Sequence, residues 1–94
     1  MSKTVDGYEY KLSTAKGKKL MVVVNGKTLH FGATGYTHFR DRTGLLPKYL
    51  NHGDKRKRDS YLARTAKILR KDGSKTMNDP SSANYHSRKI LWAG

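Results

Sequence analysis

The sequence predicts an α+β fold in which a three-stranded antiparallel β-meander is packed by two helices. Three observations carry that reading. An Asn25-Gly26 pair sits between two β-rich runs, an apolar rhythm of helical period follows Asp54, and Asp79-Pro80 precedes a second stretch with apolar residues on one side. Taken in chain order, Tyr8-Glu9-Tyr10-Lys11-Leu12 alternates apolar with charged, which is the pattern of a half-buried strand. The small residues of Ser13-Thr14-Ala15-Lys16-Gly17 suit a turn. The next two strands are joined by Asn25-Gly26, because a type I′ turn needs φ > 0 at both central residues. A two-residue loop sets Val24 against Lys27, Val22 against Leu29 and Leu20 against Phe31. One face then collects Leu20, Val22, Val24, Leu29 and Phe31, while Met21, Val23, Thr28 and His30 point the other way. The sheet is expected over about residues 8–32 of a single domain, 1–94.

Residues 35–53 read as a loop with a short turn around Leu45–Leu50. Asp54 is placed to cap a helix over about 55–71 that stops before Asp72-Gly73. In it Arg58, Tyr61, Leu62, Thr65, Ala66 and Leu69 follow the i, i+3, i+4, i+7 spacing of one face. Arg56, Lys57, Arg64, Lys67, Arg70 and Lys71 fall on the opposite arc. The second helix, about 80–91, begins at Asp79-Pro80 and sets Ala83, Ser87, Ile90 and Leu91 on one side.

Charge narrows the function classes. The chain carries 20 Lys and Arg against 7 Asp and Glu, a net charge of +13, with a pI near 10.2. The excess is spread through periodic segments, with its densest run at Lys55-Arg56-Lys57-Arg58, so this is a basic folded domain and not a neutral one with a basic tail. An excess of that size favours an acidic partner: nucleic acid, an anionic membrane or an acidic protein surface. The absence of Cys removes disulfides and thiol chemistry, no apolar run is long enough for a membrane span, and the first residues lack the apolar core of a secretory signal.

The residue types needed for catalysis are sparse. The acids Asp6, Glu9, Asp41, Asp54, Asp59, Asp72 and Asp79 are scattered, whereas paired-carboxylate or magnesium chemistry needs several at one point. His30, His38, His52 and His86 lack ligand spacing for zinc, and only His38, beside Arg40, suggests a phosphate contact, its alternative being a solvated loop. Gly32-Ala33-Thr34-Gly35 is followed by no Lys-Ser/Thr pair and reads as a flexible exit from the hairpin. No catalytic residue, metal site or cofactor is therefore expected. The expected contact is a row of outward cations, Arg56, Lys57, Arg64, Lys67, Arg70 and Lys71, set against phosphates or acidic side chains.

Three stretches, Lys19–Gly32, Asp54–Arg64 and Pro80–Trp92, together resemble a family of small basic proteins of unknown function found in tailed bacteriophages and large DNA viruses of eukaryotes. The resemblance covers most of residues 18–92 and implies a viral context without assigning any site residue. With the thin core, it leads to the expectation of a non-catalytic structural component of a virus particle, a minor capsid or cement-type protein. Such a protein would be ordered within a larger assembly and would dock on acidic major capsid protein or on the genome. Its expected location is the virion, and the host cell interior before assembly. The alternative is a sequence-nonspecific DNA- or RNA-binding protein acting in genome condensation, replication or transcription, and a third class is a protein that binds an acidic host enzyme.

Overall fold

The computed structural model describes residues 2–92. It is α+β, with an antiparallel sheet of four strands in the order β1-β2-β3-β4: β1 (Ser2–Val5), β2 (Tyr8–Leu12), β3 (Lys18–Val24) and β4 (Lys27–Ala33). The extra strand corrects the three-stranded expectation, and the sheet starts before residue 8. Its cause is local: Asp6 and Gly7 both take positive φ, +52° and +86°, as Asn25 and Gly26 do at +51° and +79°. Asp-Gly is the second of the two strong hairpin pairs, so Ser2–Val5 folds back on β2 with Val5 opposite Tyr8.

The β3–β4 register is the expected one, pairing Val24 with Lys27, Val22 with Leu29 and Leu20 with Phe31. The inner face of the sheet supplies Tyr10, Leu20, Val22, Val24, Leu29 and Phe31 to the core, and Ile90 and Leu91 from the chain's end complete it. Gly32 lies within β4 and is not a flexible exit: its φ is +78°, and a Cβ there would stand 2.9 Å from the Leu91 side chain.

Helix α1 (Lys55–Thr65) begins as expected, with the Asp54 carboxylate accepting from the N–H groups of Arg56 and Lys57. It ends at Thr65 and not at Lys71. The Arg88 guanidinium donates to the Leu62 carbonyl and the Thr65 hydroxyl, and Asn84 Nδ2 donates to the Thr65 carbonyl. Asn84 takes the Thr65 carbonyl that another helical turn would have used, Arg88 shares the Leu62 carbonyl with the Ala66 N–H, and a cation is favourable at a helix C-terminus. The chain then makes a small hairpin in which Leu69 bridges Lys75 around Asp72-Gly73. Leu69, expected on the buried face, is accordingly 55% exposed.

The second helix also differs. Asp79 accepts from the N–H and the hydroxyl of Ser81 in a local turn, and Ser82 caps helix α2 (Ala83–Ser87). One π-helical turn, Arg88–Trp92, follows and buries Ile90 and Leu91. The N–H groups of Arg40 and Arg42 donate to the carbonyls of Leu91 and Ile90 at 2.9 and 3.1 Å, so the central loop seals this helix end.

His86 sits fully buried where α2 meets the sheet. Its Nε2–H donates to the Pro80 carbonyl, and Nδ1 accepts from the Tyr10 hydroxyl at 2.8 Å. That pattern holds the ring neutral, and burial pushes its pKa below the ordinary histidine value. No helix among the described residues is long and apolar enough to cross a membrane.

Candidate polyanion-binding site

A cleft of about 770 Å³ opens between the β3–β4 hairpin and α1. The sheet side contributes Lys18, Lys19 and the β4 residues His30 to Ala33, followed by Tyr36, Thr37 and His38. Helix α1 contributes Arg56, Lys57, Ser60, Tyr61 and Arg64, and the C-terminal segment Ala83, Asn84, Ser87, Leu91 and Trp92. No Asp or Glu is among the lining residues. None of Lys18, Lys19, Arg56, Lys57 and Arg64 makes an ion pair among the described residues.

Tyr61 holds the helix side in place. Its ring stacks on Trp92 with centroids 4.1 Å apart and an interplanar angle of 11°, and its hydroxyl bonds to Ser87 Oγ at 2.8 Å. The Arg64 guanidinium lies 5.6 Å from the Tyr61 ring centroid, so it is held beside the cleft by a cation–π contact. Arg56 and Lys57 occupy the first turn of α1, where no acidic residue is present. Cations there oppose the helix dipole, at a cost of about 0.3–1 kcal/mol each.

Lys19 holds the sheet side. It follows Lys18 in β3, yet it is only 7% exposed because the loop after β4 wraps over it. Its ammonium donates to the Tyr36 carbonyl and, at 3.1 Å, to His38 Nδ1. An ammonium can only donate, so Nδ1 of His38 is unprotonated. The proton is on Nε2, which donates to Asn51 Oδ1 at 2.8 Å, and that oxygen also accepts from the Asp41 N–H. Burial holds Lys19 below the ordinary lysine range. Burial first, and the Lys19 charge second, push His38 below the ordinary histidine value. His38 is thus a buried neutral link, 1% exposed, and neither a phosphate contact nor part of a solvated loop. His52, packed 5.3 Å from Trp92, accepts at Nδ1 from the Asp54 N–H and has a buried Nε2 with no hydrogen-bond partner in the described structure.

The six cations expected to form one outward row do not do so. Arg56, Lys57 and Arg64 converge on the cleft. Lys67 and Lys71 are exposed but lie beyond the end of the helix, outside the cleft lining. Arg70 is neutralised within the molecule: it pairs with Asp79 and donates to Ser81 Oγ. The early end of α1 explains all three, since the 100° per residue that would align positions 67, 70 and 71 holds only inside a helix. Sequence reasoning missed Lys18, Lys19 and His52 as parts of this site. The only signal for the lysines was a cation pair at the start of a strand.

The acids are all engaged elsewhere. Asp6 takes Arg42 and Lys89, Glu9 takes Lys11, Asp59 takes Arg58 and Asp79 takes Arg70. Asp41 accepts from Thr43 and from the Leu46 N–H, Asp54 caps α1, and Asp72 accepts from Ser74. No group of three His, Cys, Asp or Glu side chains among the described residues could hold a metal ion. Chemically the cleft offers fixed positive charge, N–H donors and aromatic faces.

Residues 8–65 match a family described as a family of unknown function (DUF5754), and the chain belongs to it. The matched span holds both cationic walls, from Lys18 to Arg64, and ends with α1. No curated protein and no solved structure matches the chain.

Proposed function

We propose that this member of the DUF5754 family is a non-catalytic, sequence-nonspecific nucleic-acid-binding protein whose phosphate contact is the cleft between β3–β4 and α1. The observation that carries the reading is the convergence of four exposed cations, Lys18, Arg56, Lys57 and Arg64, on a cleft with no acidic lining residue, with Lys19 buried behind its sheet wall. A solvated basic face would gain from interspersed acids, and a basic first turn weakens its own helix. A phosphate backbone supplies the missing negative charge. The engagement of every acid in a cap, turn or ion pair supports the non-catalytic part of the reading.

The experiment is fluorescence anisotropy with labelled oligonucleotides at low salt. The triple variant Arg56→Glu, Lys57→Glu, Arg64→Glu should lose binding by at least about a hundredfold, since it removes three phosphate contacts and adds three repulsions. The first two changes put acids at a helix N-terminus, which favours the fold. Unchanged affinity in a variant with native circular dichroism overturns the site.

The resemblance of residues 18–92 supports a viral setting, with the protein a minor component of the particle that holds the genome or docks on acidic shell protein. Lys67 and Lys71, exposed outside the cleft, add to the positive surface available for such docking. Mass spectrometry of purified particles tests this setting, and absence of the chain at stoichiometric levels overturns it.

A further inference from the structure

We infer that the ligand of the cleft is single-stranded nucleic acid, its bases entering the cleft and its phosphates meeting the cations on the two walls. The inference rests on the nucleic-acid reading above and narrows it to unpaired nucleotides. Exposed Lys18 comes from the sheet and Arg56, Lys57 and Arg64 from α1, so a strand lying between them is neutralised from both sides. A duplex would meet only the rim. It keeps its bases stacked inside and presents phosphates and groove edges, which leaves the half-buried Tyr61 and Trp92 rings of the cleft unused. An apolar, aromatic interior behind a cationic rim is what base stacking with backbone tracking requires. The volume of about 770 Å³ lies within the roughly 300–1,000 Å³ that accommodates a drug-sized ligand, enough for a base with its sugar.

Tyr36 is the stacking platform. It lines the cleft, its side chain is 72% exposed, and its backbone carbonyl is pinned by the buried Lys19 ammonium. A large aromatic held out in water by an anchored backbone contributes nothing to the core, and one open face is what a base needs. Trp92 and Tyr61 are already stacked on each other, so they form a wall and Tyr36 receives the base.

Trp92 is the chain's single Trp and lies in the cleft, so its emission reports occupancy directly. The test compares a labelled single strand of about 12 nucleotides, within the usual site size, with the duplex of the same sequence. Anisotropy and Trp92 fluorescence are read together. The single strand is expected to bind at least tenfold more tightly and to change Trp92 emission saturably. Tyr36→Ala should weaken the single strand roughly tenfold and leave duplex affinity unchanged. Equal or tighter binding of the duplex overturns the inference and leaves the phosphate-contact reading standing. A single-strand preference without any Trp92 change places the strand outside the cleft and also overturns the inference. Failure of both nucleic acids to bind at low salt overturns the two readings together. If Tyr36→Ala alters neither affinity, the platform is wrong.

Discussion

The two sides of this molecule treat positive charge in opposite ways. At the corner where the β1–β2 turn meets the C-terminal segment, Arg42 and Lys89 share the Asp6 carboxylate, each at 3.3 Å. At the cleft four exposed cations, Lys18, Arg56, Lys57 and Arg64, face one another across open space with no carboxylate among them. Both sides contribute to the same +13. Net charge alone does not distinguish the two sides, whereas the placement of the few acids decides which cations stay available to a partner. Arg70 makes the point within one short segment, because Asp79 removes it from the available surface while Lys71 beside it stays exposed.

Paired perturbations on the two sides sharpen this contrast. The largest effect is expected from glycines. Gly7 and Gly32 share a positive φ, +86° and +78°, but a Cβ at Gly7 meets nothing within 4 Å while one at Gly32 stands 2.9 Å from Leu91 Cδ1. Both Ala variants carry the left-handed backbone penalty, so Gly32→Ala should cost about 1–3 kcal/mol more than Gly7→Ala through overpacking. Urea unfolding of the two variants checks this, and equal midpoints would mean that Leu91 gives way freely.

Acidification comes next, and it acts on the two sides in separate windows. His38, His52 and His86 are all lowered from the ordinary value of 6.5, with burial as the first cause of each. The unfolded chain therefore takes up protons that the folded chain refuses, and stability should fall as pH drops below 6.5. Asp6 is also lowered, first by its hydrogen bond from Lys89, so its contribution is present above the ordinary 3.8 and is lost only as pH falls through the lower folded value. Melting temperatures between pH 7 and 5 should drop in the wild type and drop nearly as far in Lys89→Ala, which removes only the smaller, charge-based part of the lowering at His86. A flat profile there would contradict the neutral, buried histidines.

The smallest effect is a change of slope. Arg64→Ala should reduce the salt dependence of single-strand binding by about 0.7 in log K against log salt, one phosphate's worth, whereas Arg42→Ala should leave it unaltered. A matching loss at Arg42 would erase the distinction between paired and unpaired cations.

Much of the fold is legible in the chain because its signals are local. The β3–β4 register follows from Asn25-Gly26 and a period of two, and the same rule applied to Asp6-Gly7 accounts for β1. The start of α1 follows from Asp54, two residues from the amide at Arg56 that its side chain accepts from. The site is only half legible. Arg56, Lys57 and Arg64 stand out as a basic patch on a helix, but nothing near them in sequence points to Lys18 and Lys19 across the cleft, or to Asn84 and Arg88, which take the Thr65 carbonyl and hydroxyl where the helix ends.

By itself, then, the sequence determined the hairpin geometry, the capped beginning of α1 and an excess of positive charge too large for its own acids to balance. These depend on contacts a few residues apart, where turn chemistry and side-chain period leave little choice. Only the tertiary structure decided where α1 stops, that Lys19 is buried, and which cations remain unpaired around one cleft. Those outcomes turn on groups tens of residues apart in the chain, brought within hydrogen-bonding distance by packing of the sheet against the C-terminal segment, and no local preference encodes that approach.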